Sequence, residues 1–260
     1  MLGTLVEISI STKKSSIDLV SLSDKAFAAI KQVERTMSFH NSASELSYIN
    51  RHAYLKPCDL SPHMEEILLN AIEISEQSQG IFDVTVAPHL IKQKLLPDIG
   101  VPFDTSACWK DIIITNGCVH FQKPLIIDLG GIAKGYAVDQ AIASCEGHCL
   151  DITVNAGGDL RTKLWQEKIV SIRRNNSSSD FIDVEMRDTA LATSASYYLN
   201  GKNAIICPRT EHVAEQNKVA SIFAPTCMMA DALTKILYLG SRNHTVFNFF
   251  NVKPMVFNSN

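Results

Sequence analysis

The spacing of apolar and polar residues divides the chain into alternating strand-like and helix-like stretches. A first strand is predicted over about residues 4–10. The helix after it has Leu19, Leu22, Phe27, Ile30 and Val33 on its apolar face and ends near Met37. Residues 38–50 are polar and turn-like, with a short helical piece around 45–49. A clearer helix follows: Ser61 is placed to cap it, Pro62 suits its first turn, Met64, Ile67, Leu68, Ala71 and Ile72 form the stripe, and Gly80 stops it. Residues 82–88 read as a strand-like piece leading to a loop. Residues 111–115 and 118–121 read as a hairpin around Asn116-Gly117, the strongest short hairpin signal.

Further along, Leu125, Ile126 and Ile127 read as a short interior strand that breaks at Gly130-Gly131, after which Ala133, Ala137, Val138, Ala141 and Ile142 recur at helical spacing. A second glycine turn, residues 154–159, ends another apolar strand. Strands are expected around 168–172, 181–186, 204–207 and 219–223, with the serine-rich stretch 175–179 as an exposed hairpin tip. A last clear helix runs over 228–239 and is stopped by Gly240. With no repeat and no long low-complexity segment, the expectation is one α+β unit over residues 1–260.

Composition narrows the partners. Of 260 residues 46% are hydrophobic and 20% charged, as in an ordinary globular protein. A net charge of −3, no basic run and few aromatic residues argue against nucleic acid. No apolar stretch reaches the roughly 18 residues that would span a bilayer, and residues 1–8 lack the basic flank and apolar core of a secretion signal. Seven cysteines without regular spacing suggest reduced thiols. The expectation is a cytoplasmic protein as the chain stands, periplasmic if a leader has been removed. Cys145, His148 and Cys149 invite a metal reading, but no second ligand pair follows at zinc-site spacing.

The stretch with the most chemistry is residues 128–139. Gly130 and Gly131 let the backbone approach a ligand, and the first amides of the helix after them lack internal partners and carry the positive end of its dipole. A phosphate is stabilised there, and Lys134 adds a full charge. Asp128 and Asp139 frame the turn. The spacing is neither that of a Walker loop nor that of the dinucleotide fingerprint, and on its own it is equally a tightly packed strand-to-helix connection.

Taken in order, the motifs resemble those of the ApbE family of flavin transferases. The pieces are Leu2-Gly3-Thr4; Met37-Ser38 with Ser44-Glu45-Leu46 and Ile49-Asn50; residues 80–88; residues 128–139; Asn155 with Gly157-Gly158-Asp159; Ala192-Thr193-Ser194; Pro208-Arg209-Thr210; and Ala230-Asp231-Ala232-Leu233. The resemblance implies a two-lobed, T-fold-like domain with mixed sheets and packed helices. It also implies an activity that takes FAD and attaches its FMN half to a threonine or serine of a target protein, releasing AMP. The target would be a membrane redox-complex subunit or another flavoprotein. The FAD site implied comprises Leu2, Phe39, His40, Ile81, Phe82, Asp83, Thr85, Asp128, Gly130, Gly131, Lys134, Asn155, Gly157, Gly158, Asp159 and Lys235. Lys134 and Asp231 carry the catalytic role, and magnesium is held by the Gly131 carbonyl, Asp231 and a threonine.

Several positions depart from the family pattern. Its metal-ligand threonine, four residues after the aspartate, is here Lys235, with Thr234 next to it as a substitute oxygen. Its histidine is replaced by Ala204, its aspartate by Cys207, and its glycines by Ala195 and Glu211. Alanine transfers no proton, which leaves His212 or Asp159 as stand-in bases, or else an FAD-binding accessory or carrier protein without efficient transfer. Lys235 forms either an ordinary helical pair with Asp231 or an ammonium in the place of magnesium.

Overall fold

Strand β1 (Val6–Ser11) alternates between half-buried and exposed residues and leads to α1 (Leu19–Met37). The computed structural model describes residues 1–14, 16–147, 150–163, 168–174, 180–195, 205–208, 210, 212–214, 218–240 and 244–258. The Asp18 carboxylate accepts the amides of Val20 and Ser21 and so caps α1. Leu22, Ala26, Ile30, Val33 and Met37 point inward; Ala26 takes the place expected of Phe27, which is half-buried. Ser44 caps α2 (Glu45–His52). After β2 (Cys58–Asp59), Ser61 caps α3 (Pro62–Gln77), with Pro62 in the first turn as the sequence predicts.

Residues 82–88 do not form the expected strand. They make a 3-10 turn (Val84–Val86) that runs directly into α4 (Ala87–Lys92). Asp83 is the cause: its Oδ1 accepts the Thr85 amide at 2.9 Å and the Thr85 hydroxyl at 2.8 Å, a local partner that competes with any strand ladder. The hairpin of β3 (Ile112–Thr115) and β4 (Cys118–Phe121) does form, with positive φ at Asn116 (51°) and Gly117 (73°), and β2 joins it as a third strand.

Leu125, Ile126 and Ile127 are buried, yet they pair with no strand. Asn50 donates from Nδ2 to the Ile127 carbonyl and accepts the Ile127 amide at Oδ1, both at 2.9 Å. The Asp128 amide donates to the Val84 carbonyl at 2.8 Å. A side chain 77 residues away thus satisfies backbone groups that an interior strand would pair in a ladder.

The remaining elements are α5 (Ala133–Ala143), β5 (Asp151–Ala156), β6 (Asp159–Lys163), β7 (Lys168–Arg173), β8 (Phe181–Met186), β9 (Ala190–Ala195), β10 (Ile206–Cys207), β11 (His212–Val213), β12 (Lys218–Ala224), α6 (Cys227–Tyr238), α7 (His244–Phe249) and β13 (Lys253–Asn258). Beyond Gly240 the sequence reading had no element; α7 and β13 lie there, and Pro254 is tolerated because β13 is an edge strand. The main sheet has six strands in the order β1-β5-β6-β9-β12-β13. The class is α+β as expected, but every pairing among the described residues is antiparallel rather than mixed. Helix α5 packs on β5 and β6, α6 on β9 and β12, and α1 on α5. The Tyr136 hydroxyl ties α5 to α3 by donating to Glu66 at 2.6 Å, with His63 Nδ1 2.8 Å away.

The hairpin β7-β8 has a small apolar cluster of its own, with Ile172 and Met186 packed against Leu160 and Leu191 of the main sheet. Its expected tip at 175–179 lies outside the described residues, as do His148 and Cys149 of the metal reading.

Candidate functional site

The site is built where the N-terminal ends of α5 and α6 meet. Gly135 of α5 packs so closely on α6 that a methyl there would overlap the Cys227 carbonyl and lie 2.8 Å from Asp231 Cβ. This approach lets each helix cap the other. Asp231 Oδ2 accepts the Gly135 amide at 3.0 Å, while Asp139 on α5 accepts the Cys227 amide at 3.0 Å and the Met228 amide at 2.8 Å. First-turn amides have no partner within their own helix, so both pairs satisfy groups that would otherwise be orphaned. Arg161 of β6 pairs with Asp139 at 2.6 Å.

The free amides expected to seat a phosphate are therefore largely in use. Gly135 N–H is bound by Asp231, and the Ala133 amide donates to the Leu129 carbonyl at 2.8 Å. What faces outward is a pair of ammonium groups. Lys134 Nζ pairs with Asp159 and stands 3.6 Å from Asp231 Oδ1; Lys235 Nζ pairs with the same Asp231 Oδ1 and donates to the Asp231 carbonyl at 2.8 Å. The carboxylates lie beneath, with side chains 3% (Asp159) and 0% (Asp231) exposed, against 32% for Lys134 and 17% for Lys235.

Burial disfavours charge throughout this cluster, and the partners decide the outcome. Burial works against the Lys134 ammonium, but Asp159 and Asp231 hold it well above the usual lysine range. Asp231 is buried, yet Lys134 and Lys235 keep its carboxyl below the ordinary value. Burial and the neighbouring Asp231 charge push Asp159 up, against Lys134 and Lys235. Burial also carries Asp139 up, Arg161 notwithstanding, and lifts the Cys227 thiol well above its usual range.

Around this centre the structure gathers several of the expected residues. A methyl built on Gly131 would sit 3.4 Å from Phe82 Cε2 and 3.8 Å from Lys235 Cε, so ring, turn and ammonium stem adjoin. Burial pushes the Asp128 carboxyl up to about 6, although the Gly130 amide at 3.1 Å and the nearby His40 favour its ionised form. Phe39 is buried and Ile81 half-buried in the adjoining core. In the second glycine turn the Gly158 amide donates to Asn155 Oδ1 at 3.0 Å, and Gly157 abuts Thr4. Leu2, whose amide donates to Glu34 at 2.7 Å, belongs to the turn that carries Thr4.

Other expectations are corrected. Asp83 and Thr85 face inward: the two Asp83 oxygens hold the Thr85 amide and hydroxyl and the Trp109 amide (3.1 Å), so Asp83 organises a loop. Thr234 is turned the other way, onto the sheet. Its fully buried hydroxyl lies 2.7 Å from Ser194 Oγ of β9 and donates to the Asp231 carbonyl at 2.7 Å. It thus offers no oxygen beside Gly131.

The donor set does not fit magnesium, which demands about six oxygens in near-octahedral array. Beside the Gly131 turn every Asp231 oxygen already accepts a hydrogen bond or an ammonium, and among the described residues no three His, Cys, Asp or Glu side chains cluster for a metal. Ala204, Arg209 and Glu211 lie outside the described residues, as does the His212 side chain. Cys207 and Ala195 are half-buried at the ends of β10 and β9. Asp159, the other base considered, is bound to Lys134.

The sequence reading missed Gly135 and Ser194 as parts of this site, and it set Asp139 only at the frame of the turn. The signal available was Gly135 itself, a helix-interior glycine, which is costly unless another backbone comes close.

The chain matches the model described as the ApbE family over residues 2–246. It is 28% identical over 251 residues to the FAD:protein FMN transferase of Chlamydia pneumoniae, covering 88% of this chain and 80% of that protein. To the Haemophilus influenzae protein of the same name it is 25% identical, covering 82% of this chain and 70% of that protein. Among solved structures, flavin transferase ApbE from Vibrio cholerae superposes with a TM-score of 0.84 at 22% identity, over 99% of this chain and 91% of that one. The ApbE protein from Thermotoga maritima gives 0.84 at 23% identity, over 99% and 94%.

Proposed function

The chain belongs to the ApbE family, and we propose that it acts as an FAD:protein FMN transferase built as a single unit over residues 1–260. The observation that carries this reading is the outward pair of ammonium groups beside a glycine turn and an aromatic ring: Lys134 and Lys235 next to Gly131 and Phe82. FAD offers the matching chemistry, a pyrophosphate with two negative charges joined to a flat apolar ring. Phosphoryl transfer needs little more from a protein than positioning and charge neutralisation.

In the reaction, the oxygen of an acceptor threonine or serine bonds to the FMN phosphorus. The bond from that phosphorus to the bridging pyrophosphate oxygen breaks, AMP leaves with the electron pair, and the hydroxyl proton passes to solvent or a base. Lys134 faces the phosphates, and Asp231, through Gly135 and Lys235, fixes the helix end and the second cation. The acceptor belongs to a separate flavoprotein, such as a membrane redox subunit. No helix among the described residues is long and apolar enough to cross a membrane.

The decisive experiment incubates the purified chain with FAD and a fragment carrying an acceptor threonine, with and without magnesium. A mass gain equal to FMN on that threonine is expected. Intact bound FAD beside an unmodified target would instead support the carrier reading. That alternative draws on Ala204 and Cys207, where the family pattern has proton-carrying side chains.

A further inference from the structure

We infer that the Lys235 ammonium is the resident cation of this site, a built-in positive charge that takes the place of a divalent metal beside a dinucleotide pyrophosphate; this rests on the flavin reading of the same site. An ordinary Asp-to-Lys pair at i,i+4 spacing lies in water on a helix face. Here the Asp231 side chain is fully buried and Lys235 is 17% exposed, so the pair is part of the floor of the site. With Oδ2 bound to the Gly135 amide, the ammonium engages Oδ1, which it shares with Lys134, and the backbone carbonyl, which it shares with the Thr234 hydroxyl.

Its stem passes the Gly131 turn, with Cε 3.8 Å from the position of a Gly131 methyl. Of its three N–H groups, two are directed to Asp231 and the third makes no hydrogen bond among the described residues. A metal ion brought here would have to displace one ammonium from Asp231 and stand beside another on Lys134, and Thr234 has no oxygen to offer it. The anionic floor is already neutralised: two carboxylates below, two ammonium groups above. A pyrophosphate therefore meets fixed cations and needs no dissociable one.

Two measurements on the full chain test this. Manganese binding, followed by electron paramagnetic resonance without nucleotide, reads the metal site alone. FAD binding, followed by flavin fluorescence in EDTA and in magnesium, reads the pyrophosphate seat. The wild type is expected to show no stoichiometric manganese site and FAD affinities equal within about twofold in the two buffers. Lys235→Ala is expected to weaken FAD at least about tenfold in EDTA, while Lys235→Arg, which keeps the charge, retains metal-independent binding. Lys235→Thr, which places an oxygen four residues after Asp231, is expected to gain a manganese site and a magnesium requirement.

A manganese site in the wild type that Asp231→Asn abolishes, or FAD binding tightened more than about tenfold by magnesium, would overturn the inference while leaving the flavin reading intact. Absence of FAD binding in both buffers, with no manganese site, would instead sink the flavin reading and this inference with it.

Discussion

Gly130-Gly131 and Gly157-Gly158 are the same dipeptide at the ends of two apolar segments, and they need glycine for different reasons. At the second turn φ is +66° at Gly157 and +100° at Gly158, a backbone that side chains resist, and a methyl on Gly157 would overlap the Thr4 hydroxyl and lie 3.0 Å from Thr4 Cβ and Cγ2. At the first turn neither glycine has positive φ, and a methyl on Gly131 would rest at 3.4 Å and 3.8 Å from its neighbours, ordinary contact distances. The fold requires the second pair. At Gly131 it leaves room for a methyl in contact with Phe82 and Lys235.

Four residues after Gly131 the requirement is strict again. Gly135→Ala drives a methyl into the Cys227 carbonyl and against Asp231 Cβ, so α5 and α6 must part and the reciprocal capping must break. Overpacking of this kind costs about 3 kcal/mol or more, the largest effect expected of any single methyl here, and denaturant unfolding measures it. Gly157→Ala is expected to cost about 2 kcal/mol, the left-handed backbone supplying about 1–2 of it. Its methyl meets a small side chain in a terminal turn, which can shift where the Cys227 backbone cannot. Equal losses at the two positions would break that distinction.

The sequence showed the helices and the Asn116-Gly117 hairpin because each depends on near neighbours: a stripe at i+3 and i+4, a cap one residue ahead, two positive φ angles. It failed where a partner was distant, or where a side chain bound the backbone beside it. Leu125, Ile126 and Ile127 look like a strand, but Asn50 supplies the backbone bonds. Asp83 looks like a ligand, but Thr85 and Trp109 hold it. Within the site, Lys134, Asp159, Asp231 and Gly131 were legible as residues, whereas the direction of Thr234 depends on Ser194, 40 residues earlier on β9. Spacing places both Thr234 and Lys235 near Asp231; only the packing of α6 on the sheet says which one turns toward the glycine turn.

The first turn also contributes to the pH dependence of stability. Asp128 binds its proton more tightly folded (pKa about 6) than unfolded (3.8), so the folded chain holds more protons between pH about 4 and about 6. Stability from this group is full below its unfolded value and falls as pH rises through 6. The difference between 3.8 and about 6 corresponds to at most about 3 kcal/mol, and solvent screening of a half-buried carboxyl reduces it to about 1. Asp83, Asp139 and Asp159 are raised too, and Asp231, held down by its two lysines, acts oppositely, losing its contribution as pH falls below its ordinary range. The informative quantity is therefore the difference between wild type and Asp128→Asn in unfolding free energy at pH 4.5 and about 7. The variant is expected to lose less stability over that interval; parallel profiles would mean that the Asp128 carboxyl titrates normally.

Gly131→Ala has the smallest expected effect on stability and the sharpest bearing on the two glycine pairs. Its methyl has room, its φ is ordinary, and its neighbours are a ring edge and a flexible lysine stem, so unfolding free energy should move by no more than about 0.5 kcal/mol. The same methyl occupies the space between Phe82 and Lys235 where the flavin reading seats the dinucleotide, and FAD affinity should fall about tenfold, or about 1.4 kcal/mol. A destabilised variant would mean that the first turn, like the second, is glycine for the fold. A stable variant with undiminished FAD binding would remove the ligand from this gap and leave Gly131 without a functional reason. Only normal stability together with weakened binding separates a glycine kept for the chain from a glycine kept for what the chain holds.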